Sequence, residues 1–423
     1  MFDTTHTARD AFDWVPRYYR DHLSTGRANL GEMFGGHIEV ASSGAWVETA
    51  DGDRYLNAGG YGVFITGARH PLVLEEVRRQ LDTHPVATRM FLEPALARAA
   101  AAVDRVSPDG MDRVYFCQSG TEAVEAAIKI ARASGRRFLV SMENGYHGKT
   151  LGALSITAKD IFQAPFEPLL PGVARVPYGD IVALEAVLAT HPDQACVVVE
   201  PVQGEAGVII PPEGYLRDVA RACAAHGALF VLDEIQTGLG RLGVWWGADR
   251  DGVTPDVLLS GKALGGGVIP VAAAITSRSV LGVLDRDPFL HTSTFSGAPL
   301  GMAAVCGALR AIEEEGLVER AAAIGRRLLP AISEIVAQYF GDLALPVRGA
   351  GLLIGIEFTE PGLSGDLLLE LLENKVIANH SLNSEWVLRL TPPAVMTDLE
   401  VQLLLDCFAR AAQATARRYC SKG

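Results

Sequence analysis

The sequence predicts an α/β protein built on a mostly parallel sheet wrapped by helices. Three observations carry that prediction. From about Pro71 onward the chain alternates short β-branched runs, RVYFC, RFLVSM, ACVVVEP, ALFVLDE, DVLLS and VAAAIT, with longer segments of helical periodicity such as TEAVEAAIKIARA and GYLRDVARACAAHG. Those runs are continuously apolar rather than alternating, the pattern of strands covered on both faces. With 423 residues, about half of them hydrophobic, the chain is long enough to bury a large core and to form two or three lobes.

The elements follow in order. ARDAFDWVPRYYRDHL reads as helical, and HIEVASSGAWVETADGDRYLNAGG alternates apolar and polar residues around an Asp51-Gly52 turn, a small β-meander. After the α/β region come GAPLGMAAVCGALRAIEEEG, a long amphipathic helix to about Phe340, the strands LLIGIEF and VLRLTPP, and a last helix. That helix opens on a capping box from Thr397 to Glu400. No linker, low-complexity tract or internal repeat interrupts the chain, so the lobes should pack together.

Composition excludes several classes of partner. A formal charge of −13, from 37 basic and 50 acidic groups, provides no basic footprint for nucleic acid or an anionic membrane surface. No apolar run approaches the roughly 20 residues of a spanning helix, and the first residues lack the pattern of a secretory signal, so a cytoplasmic location is expected. Cys117, Cys196, Cys223, Cys306, Cys407 and Cys420 are scattered; neither a disulfide framework nor a metal site is expected.

The chemistry lies at the ends of the predicted strands. In VYFCQSGTEAVEAAIKIAR, Ser119, Gly120 and Thr121 open a helix, where backbone N–H groups and the helix dipole favour an anion such as phosphate. Taken alone, the motif reads first as a helix cap. Neither it nor SGKALGGG matches a nucleotide-binding P-loop. ENGYHGKTLGALS places Tyr146 and His147 just past a strand, where an aromatic could stack on a flat ring; alone, His147 reads as a structural histidine. EPVQGEAG delivers Glu200, Gln203 and Glu205, and LDEIQTG ends a buried strand with Asp233 and Glu234. A buried carboxylate needs a partner, either a metal or a protonated ring nitrogen. No metal-like spacing stands nearby.

Six lysines are available to the chemistry: Lys129, Lys149, Lys159, Lys262, Lys375 and Lys422. Lys262 follows a strand and is flanked by glycines that leave room for a bulky adduct; a desolvated lysine beside other positive charge becomes nucleophilic. Lys129 and Lys375 are read as helical, Lys149 and Lys159 as lying in a connecting stretch. Phosphate cradle, stacking aromatic, buried aspartate and lysine together are the requirements of pyridoxal phosphate, with Lys262 forming the Schiff base.

In SGTEAVEAAIKIAR, YHGKTLGALS, EPVQGEAGV, LDEIQTGLGRLG, PDVLLSGKALGGG, HTSTFSGAPL and LRLTPP, taken in order, the chain resembles the class III aminotransferases of the fold-type I pyridoxal-phosphate enzymes, over nearly its whole length. The resemblance implies a large domain with a mostly parallel seven-stranded sheet (63–305) and a smaller α+β domain (306–423) joined by the N-terminal segment (1–62). It implies that Ser119, Gly120 and Thr121 hold the cofactor phosphate, Tyr146 stacks on the ring with His147 and Glu200 beside it, Asp233 pairs with the ring nitrogen, and Gln236 reaches the ring hydroxyl. Ser293 and Thr294 would reach the phosphate of the neighbouring subunit in a homodimer. Arg389 would grip a substrate α-carboxylate, Glu205 would cover that arginine when the substrate lacks one, and Tyr61, with Phe64, would line the amine-donor side.

Within the class, AKDIFQAPFEPLLPGVARVPYGDI is most similar to the putrescine and ornithine aminotransferase group, implying a small-molecule amine donor and 2-oxoglutarate or an aldehyde as acceptor. Gln118, Ser296 and Ala298 depart from the usual family residues. A tailoring aminotransferase, a decarboxylase or aminomutase on the same fold, and a degenerate binding protein are the alternatives.

Overall fold

The computed structural model describes residues 11–285, 287 and 289–420. Lys422 and the side chain of Cys420 lie outside them. Helices Ala11–Tyr18 and Thr25–Met33 precede the expected meander, β1 (Glu39–Ser43), β2 (Trp46–Thr49) and β3 (Arg54–Asn57). Gly52 takes φ +86° in its second turn, a conformation that costs glycine nothing.

The large sheet has seven strands: β4 (Arg113–Cys117), β5 (Phe138–Met142), β6 (Val173–Val176), β7 (Ala195–Val199), β8 (Leu229–Asp233), β9 (Val257–Ser260) and β10 (Ala272–Thr276). Their spatial order is β4-β10-β9-β8-β7-β5-β6. All pairs are parallel except those of β10, which runs antiparallel to both β4 and β9. The 261–271 connection explains the exception: a parallel return needs a crossover of about a dozen residues or more, usually a helix. Every residue of β7, β8, β9 and β10 is buried. Each buried Val, Leu or Ile contributes about 1.5–3 kcal/mol, so the strand ends that carry the polar groups are set in the best-anchored part of the molecule. The strand β6 has no counterpart in the sequence reading; its burial is partial, and Arg175 at its centre is exposed.

Beyond helices Pro299–Glu314 and Leu317–Phe340 come β11 (Arg348–Ala350), β12 (Leu353–Glu357), β13 (Val376–Ile377), β14 (Asn379–Ser381) and β15 (Ser384–Leu390). An antiparallel sheet forms in the order β11-β12-β15-β14, while β13 joins the N-terminal meander, parallel to β3. The last helix, Asp398–Cys420, starts at the expected box: Thr397 N–H and hydroxyl donate to Glu400 Oε2 at 2.8 and 2.9 Å, and Glu400 N–H returns to Thr397 Oγ1 at 3.2 Å. Lys375 is not helical as expected. It follows helix Leu363–Glu373 with φ +63° and pairs with Asp53 at 2.5 Å, tying the two ends of the chain together. Cys117, Cys196, Cys223, Cys306 and Cys407 are free thiols. Among the described residues no helix is long and apolar enough to cross a membrane.

Candidate active site

The carboxyl ends of β4, β5, β7, β8 and β9 converge on a cavity of about 370 Å³, the place where open α/β sheets bind ligands. Its wall includes Gly120 and Thr121, Tyr146 to Lys149, Glu200, Glu205, Asp233, Gln236 and Lys262. Five strand ends, spread in sequence from Cys117 to Ser260, thus contribute to one surface.

Asp233 ends β8 and is almost fully buried. Its Oδ2 lies 2.7 Å from His147 Nδ1, and its Oδ1 accepts the Ile235 N–H at 3.1 Å. Burial opposes a charge on His147, but the hydrogen bond to Asp233 and the charges of Asp233 and Glu200 outweigh it and raise its pKa. Glu234, the next residue, turns away: its carboxylate accepts the Thr237 hydroxyl at 2.5 Å and the Ala248 N–H at 2.8 Å. Of the two adjacent acids, only Asp233 faces the cavity. Glu200 accepts the N–H groups of Tyr146 at 3.0 Å and Gly204 at 3.3 Å, and burial pushes its pKa up to about 7.

Lys262 opens a short 3₁₀ turn immediately after Gly261, with φ +45°, a conformation that a non-glycine residue adopts at a cost. Burial, assisted by the positive charge of Arg389, lowers its pKa, against the opposing effects of Glu205, Asp233 and Glu200. This is the environment in which an amine becomes available as a base or nucleophile. Gly148 brings the Tyr146 loop onto the helix start; its φ is +122°, and a Cβ there would collide with Thr121 Oγ1.

Arg389 lies behind the cavity rather than in its wall. It is fully buried, and its Nη1 meets Glu205 Oε1 at 2.8 Å and Gln236 Oε1 at 3.3 Å. Gln236 Nε2 donates to the same Glu205 oxygen at 3.2 Å, and the Leu382 N–H donates to Glu205 Oε2 at 2.9 Å. Burial favours protonation of Glu205, but Arg389 and Lys262 prevail and hold its pKa below the usual value.

Several expected residues stand apart from this wall. The Ser119 hydroxyl and N–H both donate to Glu122 Oε2 at 2.9 Å, the capping arrangement, leaving Gly120 and Thr121 as the helix residues that face the cavity. Ser293 donates to Gln118 Oε1 at 3.2 Å, and Thr294 is exposed. Ser296 donates to the Phe116 carbonyl, so two of the unusual residues, Gln118 and Ser296, fasten the HTSTFSG loop to the end of β4. Tyr61 is more than half exposed, with φ +52°.

Two residues emerge that sequence reasoning passed over. Lys149 lines the cavity, its ammonium 3.8 Å from the centre of the Phe162 ring. Arg241 is fully buried and donates to the carbonyls of Gly62, Leu352 and Pro392, joining the segment beside Tyr61 to the strand that carries Arg389. A lone arginine in a glycine-rich stretch, GLGRLG, was the available signal.

Comparison with known proteins agrees with this geometry. Residues 33–412 match the family model described as aminotransferase class-III. The chain belongs to the class III aminotransferases. As a class III aminotransferase it is similar in structure to the ornithine aminotransferase of Toxoplasma gondii, with 30% identity, a TM-score of 0.89, and 98% of this chain and 97% of that one covered. It is likewise similar to the acetylornithine aminotransferase of Elizabethkingia anophelis (28%, TM-score 0.82, 97% and 100% covered). The omega transaminase of Pseudomonas jessenii, solved in complex with PMP, also matches (25%, TM-score 0.88, 97% and 100% covered).

Class III aminotransferases depend on pyridoxal phosphate, and this site fits the cofactor. An anion cradle at a helix start, a buried aspartate, an aromatic at a strand end and a desolvated lysine share one cavity, and His147 Nε2 is buried without a partner.

Proposed function

We propose that this aminotransferase moves the terminal amino group of a diamine or other ω-amino compound to 2-oxoglutarate, or in reverse aminates an aldehyde with glutamate as donor, in two half-reactions. The observation that carries this reading is the closed Glu205–Arg389 pair: the arginine suited to an α-carboxylate is fully buried behind Glu205. A donor without a carboxylate beside its reacting amine meets a neutral surface there. A substrate with one, such as glutamate, takes Arg389 once Glu205 moves aside.

In this reading Gly120 and Thr121, with the Ser119 backbone, hold the cofactor phosphate, and Tyr146 covers the ring. His147 and Glu200 support Asp233 and the Tyr146 loop, Asp233 pairs with the ring nitrogen, and Gln236 reaches the ring hydroxyl. Bound pyridoxal phosphate supplies an electron sink for negative charge developing on the substrate carbon. The Lys262 Nζ would accept a proton from that carbon and hand it to the cofactor's own carbon, a transfer for which its lowered pKa suits it.

Tyr61 borders the donor entrance. The chain works in the cytoplasm as a homodimer, with Ser293 and Thr294 reaching the neighbouring subunit's phosphate. Met90, Phe91, Leu92 and Phe289 are more than four-fifths exposed, an apolar surface in keeping with a subunit contact. The division into 1–62, 63–305 and 306–423 accompanies this reading, with the pairing of β3 and β13 in its favour.

The test is a donor panel with 2-oxoglutarate, scoring glutamate formed from putrescine, cadaverine, ornithine, acetylornithine and 4-aminobutyrate. Preference for the diamines supports the proposal; turnover of none of them overturns it.

A further inference from the structure

We propose that Asn383 is a positioning residue for the Glu205–Arg389 pair and couples that pair to the Tyr146 loop. The inference rests on the reading above, in which Glu205 leaves and regains Arg389 between the half-reactions.

One hairpin holds Glu205 at three points. The outgoing strand β15 carries Arg389, whose Nη1 binds Oε1, and the turn between β14 and β15 supplies two main-chain donors. The Leu382 N–H binds Oε2 at 2.9 Å, and the Asn383 N–H binds the Glu205 carbonyl at 2.9 Å. Opening the pair breaks the Arg389 and Gln236 contacts at Oε1, whereas the hold on the Glu205 backbone can persist through the movement.

The Asn383 side chain extends this hold to the large sheet. Its Nδ2 donates to the Asn144 carbonyl at 2.8 Å and lies 3.4 Å from the Gly145 carbonyl, the two residues that lead into Tyr146. Only the amide nitrogen can face two carbonyls, which fixes the orientation of the group. Asn144 sits at φ +60° in a left-handed turn. Lys159 Nζ donates to the Asn383 carbonyl at 2.8 Å.

Asn383 is 7% exposed, and its Oδ1 is buried without a partner. An unpaired buried acceptor is costly. Its retention here is accounted for by the donor on the other side of the same amide, which joins the turn before Tyr146 to the hairpin that grips Glu205. Removing that amide frees the hairpin from the Tyr146 turn, weakens the closed pair and favours the arrangement in which Arg389 is available to a carboxylate.

The experiment compares single-turnover rates of the holoenzyme with glutamate and with putrescine, followed by cofactor absorbance, in the wild type, Asn383→Ala, Asn383→Ser, Glu205→Ala and the Asn383→Ala/Glu205→Ala double variant. Asn383→Ala should raise the ratio of the second-order single-turnover rate constant for glutamate to that for putrescine by about three- to tenfold, the effect of one net hydrogen bond. In the Glu205→Ala background the same change should leave the ratio unmoved, because the residue it acts through is gone.

A general loss of packing would lower both half-reactions together. An unchanged ratio in Asn383→Ala, or a shift that persists in full without Glu205, overturns the inference while the Glu205 reading stands. A ratio unchanged in Glu205→Ala overturns the reading itself and the inference with it. Asn383→Ser, which keeps a small polar group without its reach, should shift the ratio in the same direction and replaces the alanine variant if that fails to fold.

Discussion

Replacing Glu234 by glutamine should flatten the dependence of stability on pH between 5 and 8 by the contribution of one buried carboxyl. Burial raises the Glu234 pKa from 4.5 to about 7, against the Thr237 hydrogen bond and the Gly247 and Ala248 amides, with Asp249 adding to the rise. The folded protein therefore keeps this proton to about pH 7, whereas the unfolded chain releases it near 4.5. The stabilisation is fully present below 4.5 and is lost as pH rises through 7. Between pH 5 and pH 8 one such group changes the unfolding free energy by about 2 to 3 kcal/mol. Urea unfolding of the wild-type and Glu234→Gln holoenzymes, followed by tryptophan fluorescence at each pH, reads the difference directly. The variant should gain on the wild type by that amount from pH 5 to 8. Glu200, whose pKa also rises to about 7, titrates in both proteins and cancels from the comparison. Parallel curves would refute the burial argument.

Lys262→Ala should keep the fold, as judged by circular dichroism, and lose more than about a thousandfold in turnover, since it removes the group proposed to carry the proton; repeated turnover at the wild-type rate would sink its assignment. Asp233→Asn should cost about a hundred- to thousandfold in kcat through loss of a preorganised charge. It should also remove the hydrogen bond and charge that raise the His147 pKa, so that burial pulls it down, a change visible in its NMR titration. An unchanged rate would refute the role assigned to Asp233.

The central strands and their terminal residues were legible because both faces are buried: an apolar run that stops at Asp233 or Glu200 marks at once a strand and the place where it meets the cavity. Three shorter or more exposed strands gave no such signal. In β6 an exposed arginine interrupts the run, and β13 and β14 have only two and three residues each. The roles of Arg241 and Asn383 were hidden for a different reason. Each acts through hydrogen bonds to main-chain carbonyls that are distant in sequence, and carbonyls carry no side-chain identity. Lys149 reads as part of a connecting stretch, yet that connection is itself cavity wall. Glu234 shows the converse: adjacency to Asp233 suggested a pair of acids at one site, but successive residues leaving a strand point in opposite directions.

The pairing of β3 with β13 places Leu56 beside Val376. During synthesis the chain must therefore extend past residue 376 before the meander leading to Tyr61 gains its fourth strand, and past Arg389 before Glu205 finds its ion-pair partner. Strands β4 to β10, with Asp233 and Lys262, emerge from the ribosome well before that point. The order of emergence puts the strands of the large sheet ahead of the two partners that complete the meander and close the Glu205–Arg389 pair, so both joins wait on the last fifth of the chain.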